Sequence, residues 1–170
     1  MRRLLASIVV ILVFAVAAIP ASVSAASALD PAGESPAGSW AWPGGIDEIV
    51  SPYEQPAHEY APGHRGIDVA VAGSDVVSPA DGVVAFVGGV AGRPLLTIEH
   101  RGGLVSTLEP VDSELSAGDS VTRGSVVGTL ATGGHTPPGA VHLGARLDGE
   151  YIDPTALLGA AERPVLLPCC

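Results

Sequence analysis

Beyond residue 39 the chain runs as short apolar stretches broken by turn residues. The stretches DVVSPADGVVAFVGG, RPLLTIEHRGGLVSTLEPV, SAGDSVTRGSVVGTLATGG and HLGARLDGEYIDP are rich in β-branched residues and punctuated by glycine. Such runs predict strands. Asp81-Gly82, Arg101-Gly102-Gly103 and Asp148-Gly149 stand where hairpins would turn. No window long enough for an amphipathic helix carries helical periodicity after the N-terminal leader. Only TALLGAAE, residues 155–162, has room for a helical turn or two. The pattern predicts a single small all-β, antiparallel domain over residues 40–162, followed by a Pro-containing tail, 163–170.

The N-terminus has a different pattern. Met1-Arg2-Arg3 precedes the continuous apolar run LLASIVVILVFAVAAI, then Pro20 and small residues approaching Ala25. This is the layout of a signal peptide, residues 1–25, and it predicts an exported protein, secreted or held in the cell envelope. The run also approaches the length of a membrane span, so a membrane association is expected only if the leader stays uncleaved. Residues 26–39, mostly Ala, Ser, Pro and Gly, read as a flexible linker.

Charge narrows the partners. All eight basic residues are arginine and two of them lie in the leader, leaving six against 18 Asp plus Glu, a formal charge of −12. A domain this acidic lacks the basic footprint by which nucleic acid is bound. The absence of lysine also excludes a lipoyl-like carrier, which the glycine-punctuated hairpins otherwise suggest. The two cysteines are the terminal pair Cys169-Cys170, so no disulfide framework spans the domain.

Candidate chemistry starts at PGHRGIDVAV, where His64 and Asp68 form an H-x-x-x-D pair. A histidine and a carboxylate four apart can meet on one metal ion if the backbone between them turns, which Gly66 would permit. His142 lies in the closing stretch and His135 in the Gly/Pro-rich loop before it. His58 and His100 are expected to be solvated. Trp40 and Trp42 are expected to pack the first segment onto the sheet, and Arg65 and Arg146 are candidates to meet a peptide carboxylate.

Taken in order, these segments resemble the lysostaphin/LytM-type zinc metallopeptidases, β-domains of the duplicated hybrid motif type that cut bacterial cell-wall peptides. The resemblance rests on GHRGIDVAVAGSDVVSPADGVVAFVGG, LLTIEHRGGLVSTLEPV, AGDSVTRGSVVGTL and HLGARLDGEYIDP, and covers residues 42–158. It implies a zinc ion held by His64, Asp68 and the last histidine of an H-x-H strand, whose first histidine assists the reaction together with a further histidine of the central hairpin. Matching His142 to the first position puts Gly144 where the third ligand belongs, and Pro110 stands for the hairpin histidine. Two residues along a strand is roughly 6.6 Å, too far for His142 to serve both positions. On this alignment the chain is a catalytically impaired member that binds peptidoglycan peptide or a cell-wall hydrolase. The alternative is an active zinc endopeptidase in which His135 restores the third nitrogen.

Overall fold

The computed structural model describes residues 39–58, 60–134 and 136–159. The leader, the linker up to residue 38, the C-terminal tail with its cysteine pair, and His135 lie outside them. In chain order the strands are β1 (Gly45–Ser51), β2 (Ile67–Val71), β3 (Asp75–Val77), β4 (Gly82–Val90), β5 (Arg93–His100), β6 (Leu104–Glu109), β7 (Val111–Asp112), β8 (Ser120–Val121), β9 (Val126–Leu130), β10 (Ala140–Leu147) and β11 (Glu150–Ile152). A single helical turn, α1 (Thr155–Leu158), follows. The fold is all-β as expected.

Eight strands make one antiparallel sheet in the order β1-β2-β10-β6-β5-β4-β8, with β11 folded back on β10. The three short strands β3, β9 and β7 make a second sheet. Alternation decides which residues hold the two together. Along β10, Val141, Leu143 and Ala145 are fully buried, while His142 and Arg146 between them face the other way and are only half-buried. Ile67 and Val69 of β2, Leu96 and Ile98 of β5 and Leu108 of β6 join them in one core with Val76, Val111 and Val127 of the small sheet. Each such side chain contributes about 1.5–3 kcal/mol of transfer free energy. Leu157 and Leu158 of α1 and the indole of Trp40 belong to the same cluster, so Trp40 packs the first segment and presents no face to solvent.

Two of the three expected hairpins are present. Arg101–Gly103 turns β5 into β6, and Asp148-Gly149 joins β10 to β11 with both residues at positive φ, 50° and 92°, the type I′ turn that D-G favours. The turn at Asp81-Gly82 is not a hairpin. β3 pairs with β9 and β4 with β5 and β8, so the chain passes from one sheet to the other there. Asp81 instead accepts from the Arg123 N–H at 2.8 Å. The second type I′ turn, Ala91-Gly92 between β4 and β5 (φ 51° and 80°), carries no such signature, because alanine rarely enters the left-handed region.

His100 is not solvated. Its Nδ1–H donates to the Asp81 carbonyl at 2.9 Å, which leaves Nε2 to accept from the Ser106 hydroxyl at 2.8 Å. The ring lies 5.1 Å from that of Trp40, centroid to centroid. Burial pushes the imidazole below its ordinary pKa, against the opposing pull of Asp81.

Candidate metal centre

One row of the large sheet holds the chemistry. Ser51 of β1, Asp68 of β2, His142 of β10 and Glu109 of β6 stand directly opposite one another in successive strand pairs. Residues so paired project to the same face, here the face away from the core. His64 joins from the segment entering β2, pinned by a two-way backbone bridge to Glu54 in which both hydrogen bonds are 3.0 Å.

The donor atoms converge. His64 Nε2 lies 3.3 Å from Asp68 Oδ1, His142 Nδ1 lies 2.9 Å from the same oxygen, and the two ring nitrogens are 3.1 Å apart. Donors bound tetrahedrally to one zinc at about 2.0–2.1 Å stand about 3.3 Å from each other, so the trio is nearly at liganding separation. The chemistry of the set fits as well: two imidazole nitrogens and a carboxylate oxygen suit zinc. His64 Nδ1–H donates to the Pro52 carbonyl at 2.7 Å, which turns the Nε2 lone pair toward the group, as in histidines that hold metals. Asp68 is buried. Burial alone would raise its pKa, yet the His142 hydrogen bond, the nearby His64 and His142 and the Ser51 hydrogen bond hold the carboxyl below its ordinary range.

Gly66 is explained by crowding and not by an unusual backbone angle. A Cβ there would collide with the Leu143 carbonyl and come within 2.6 Å of Cε1 and Nε2 of the His142 ring. The glycine lets the entry to β2 pass beside His142.

In front of the trio lies an open groove of about 540 Å³. Its lining includes His64, Arg65, Phe86, Arg93, Thr107, Glu109, Gly144, Arg146 and Tyr151. Arg93 Nε stands 3.6 Å from Glu109 Oε2. Glu109 and Arg93 were not singled out from the sequence. The alternation Val105, Thr107, Glu109 along β6 could have shown the first, since it puts Glu109 in the groove and buries Pro110.

The sequence-based candidates therefore separate. His64, Asp68 and His142 come together, with all three donor atoms within 4.8 Å of one another. Gly144 is further along the same face, where a Cβ would sit 3.6 Å from His142 Nε2 and 3.5 Å from the Arg65 carbonyl. His135 lies outside the described residues. His58 is exposed.

An all-β domain with a two-histidine, one-aspartate cluster in an open groove has the architecture of a metallohydrolase. The chain belongs to peptidase family M23, whose sequence profile matches residues 62–154, and the lysostaphin/LytM-type resemblance is thereby borne out. An uncharacterized protein of Mycobacterium tuberculosis (strain ATCC 25618 / H37Rv) is 34% identical over 117 residues, 65% of this chain and 47% of that one. The DD-carboxypeptidase/endopeptidase Mpg of Neisseria meningitidis serogroup B (strain MC58) is 29% identical over 96 residues, 55% of this chain and 22% of that one. Among solved structures, a mutant of the catalytic domain of the prophage-encoded M23 protein EnpA from Enterococcus faecalis aligns with TM-score 0.51 at 26% identity, covering 63% of this chain and 88% of that one. The chain spans about half the length of the mycobacterial relative and less of the neisserial one.

Proposed function

We propose that the chain is an exported zinc peptidase acting on peptide bonds of peptidoglycan, with His64, Asp68 and His142 as its metal ligands. The observation that carries this reading is the mutual separation of the three donor atoms, 2.9–3.3 Å, on the floor of an open groove. On this reading His142 takes the last position of H-x-H, Gly144 is not a lost ligand, and His135 is not needed to complete the set. Zinc bound there would supply Lewis acidity and a nucleophile at neutral pH. Export is supported by the leader, and a peptidoglycan substrate by the family and by the activity printed in the name of the neisserial relative.

The chain's own residues supply the remainder. If His142 is the last histidine of H-x-H, the first falls at Ala140, whose methyl moves no proton. Glu109 stands in register with His142 on the groove floor, and its carboxylate takes the proton of the attacking water and returns it to the leaving amine. Arg93 supplies a positive charge beside that carboxylate, its Nε 3.6 Å from Oε2. General acid–base transfer by a positioned side chain is worth about 10²–10⁴ in rate. The test is digestion of purified peptidoglycan by the zinc-loaded protein beside Glu109→Gln. A loss of at least about 100-fold with full zinc content is expected; equal rates for both would remove Glu109 from the mechanism.

A second reading is favoured by Ala140 and by the lack of a histidine at the end of β6: the domain holds zinc and wall peptide without cutting it. It predicts full zinc content and co-sedimentation with peptidoglycan, but no released fragments.

A further inference from the structure

We propose that Arg146 and Arg65, gathered on the ring of Tyr151, form a subsite for a carboxylate of the substrate peptide. The proposal takes from the peptidase reading only that the groove is where substrate lies. Against a net charge of −10, three of the five arginines among the described residues, Arg65, Arg93 and Arg146, line this one groove. Arg93 faces Glu109. The other two belong together. Arg146 and Tyr151 are opposite one another in the β10–β11 ladder, and the guanidinium carbon of Arg146 lies 5.6 Å from the Tyr151 ring centroid. The guanidinium carbon of Arg65 lies 5.8 Å from the same centroid. Arg65 is also tied to its own segment, its Nη2 donating to the Ala61 carbonyl at 3.2 Å, so it contributes charge, whereas Arg146 brings the fork. An aromatic face fixes a guanidinium while leaving its N–H groups to match a carboxylate bidentately. Arg146 meets no carboxylate among the described residues.

The path from the metal ligands to this pair is open because of Gly144. His142, Gly144 and Arg146 alternate along the groove face of β10, and a side chain at 144 would rise between the other two. Four residues of strand measure about 13 Å, which an extended peptide covers in roughly four residues. The carboxylate therefore lies within about four residues of the bond to be cut, as a side-chain acid or as the chain terminus.

The test is equilibrium binding of an N-dansyl peptide, Ala-Glu-Gly-Ala-Ala, to the zinc-loaded full chain at low salt, followed by fluorescence anisotropy. Four forms are compared: Glu or Gln at the second position, each with a terminal carboxylate or carboxamide. One acid form is expected to bind about tenfold more tightly than its neutral counterpart, and the arm that shows the difference identifies the carboxylate. Arg146→Gln and Arg65→Gln should each reduce that ratio at least threefold while the all-neutral peptide binds as before. Arg123→Gln, outside the groove lining, should leave the ratio intact. Equal binding of acid and neutral forms, absence of binding by any form, or a ratio untouched by Arg146→Gln and Arg65→Gln would overturn the proposal. Zinc content and hydrolysis of the neutral peptide, read on the same samples, report on the peptidase reading separately.

Discussion

Removing His142 should empty the metal site, whereas adding a histidine at position 144 should do nothing for it. The geometry sets the expectation. His142 Nδ1 is 2.9 Å from Asp68 Oδ1 and 3.1 Å from His64 Nε2, so its loss leaves two donors of three. Altering a mere supporting partner of a ligand costs about 10–100-fold in affinity. Deleting the ligand itself should exceed the top of that range, a loss greater than about 2.8 kcal/mol. A side chain at 144 starts beside His142 Nε2, at 3.6 Å, on the other nitrogen of the ring from the one facing the trio. The assay is zinc stoichiometry by elemental analysis after gel filtration, with affinity by competition against a chromogenic chelator. The parent, Gly144→His and His135→Ala should each retain one equivalent. His142→Ala should retain none, and neither should the double variant His142→Ala/Gly144→His. A parent without zinc that acquires it through Gly144→His would refute the reasoning, because position 144 would then be the vacant ligand position.

Gly66→Ala should displace the His142 ring, since the new methyl would come within 2.6 Å of two of its atoms; overpacking of this kind costs about 1–3 kcal/mol, and chemical denaturation together with zinc titration would register both effects. Leu143→Ala, on the fully buried side of β10, should cost about 2–5 kcal/mol and be visible as a lower urea midpoint. The pH dependence of stability should contain a step from His100. Its folded pKa lies below the unfolded value of 6.5, so the unfolded chain binds more protons in that window. Stability is then constant above pH 6.5 and falls as pH drops through it, by at most about 1.4 kcal/mol per pH unit. Denaturation midpoints with chelator present should show the fall in the parent and a flatter profile in His100→Asn; parallel profiles would rule the assignment out. The Asp68 contribution, from a folded pKa below 3.8, is present above that value and lost only at more acid pH.

The fold was legible where local chemistry is self-sufficient. Asp148-Gly149 turns a hairpin because both residues accept positive φ, and the glycine-bearing turn at 101–103 does the same between β5 and β6. Asp81-Gly82 carries the same signature but a different outcome, because β3 and β4 find their partners elsewhere in the chain. Strand pairing over long separations has no local signal. For the same reason His100, at a strand end that ought to be wet, is covered by Trp40 from some sixty residues away. The H-x-x-x-D pair was legible because its two residues sit on one short segment.

The third donor shows a different limit. A strand places residues 140, 142, 144 and 146 on one face, so an H-x-H pattern with one histidine left can be set against the chain in two registers, two residues apart. Sequence spacing does not choose between them, since alternation is preserved in both. Pairing chooses, because Asp68 stands opposite His142 and not opposite 144, and the next strand places Glu109 in the same row. On the proposed reading, the same step moves the loss from a ligand to an acid/base helper, and Gly144 becomes open floor between the proposed ligands and Arg146. Gly66 does not choose between the registers, since a Cβ there would meet the Leu143 carbonyl of β10 as well as the His142 ring; the row of paired residues carries the choice.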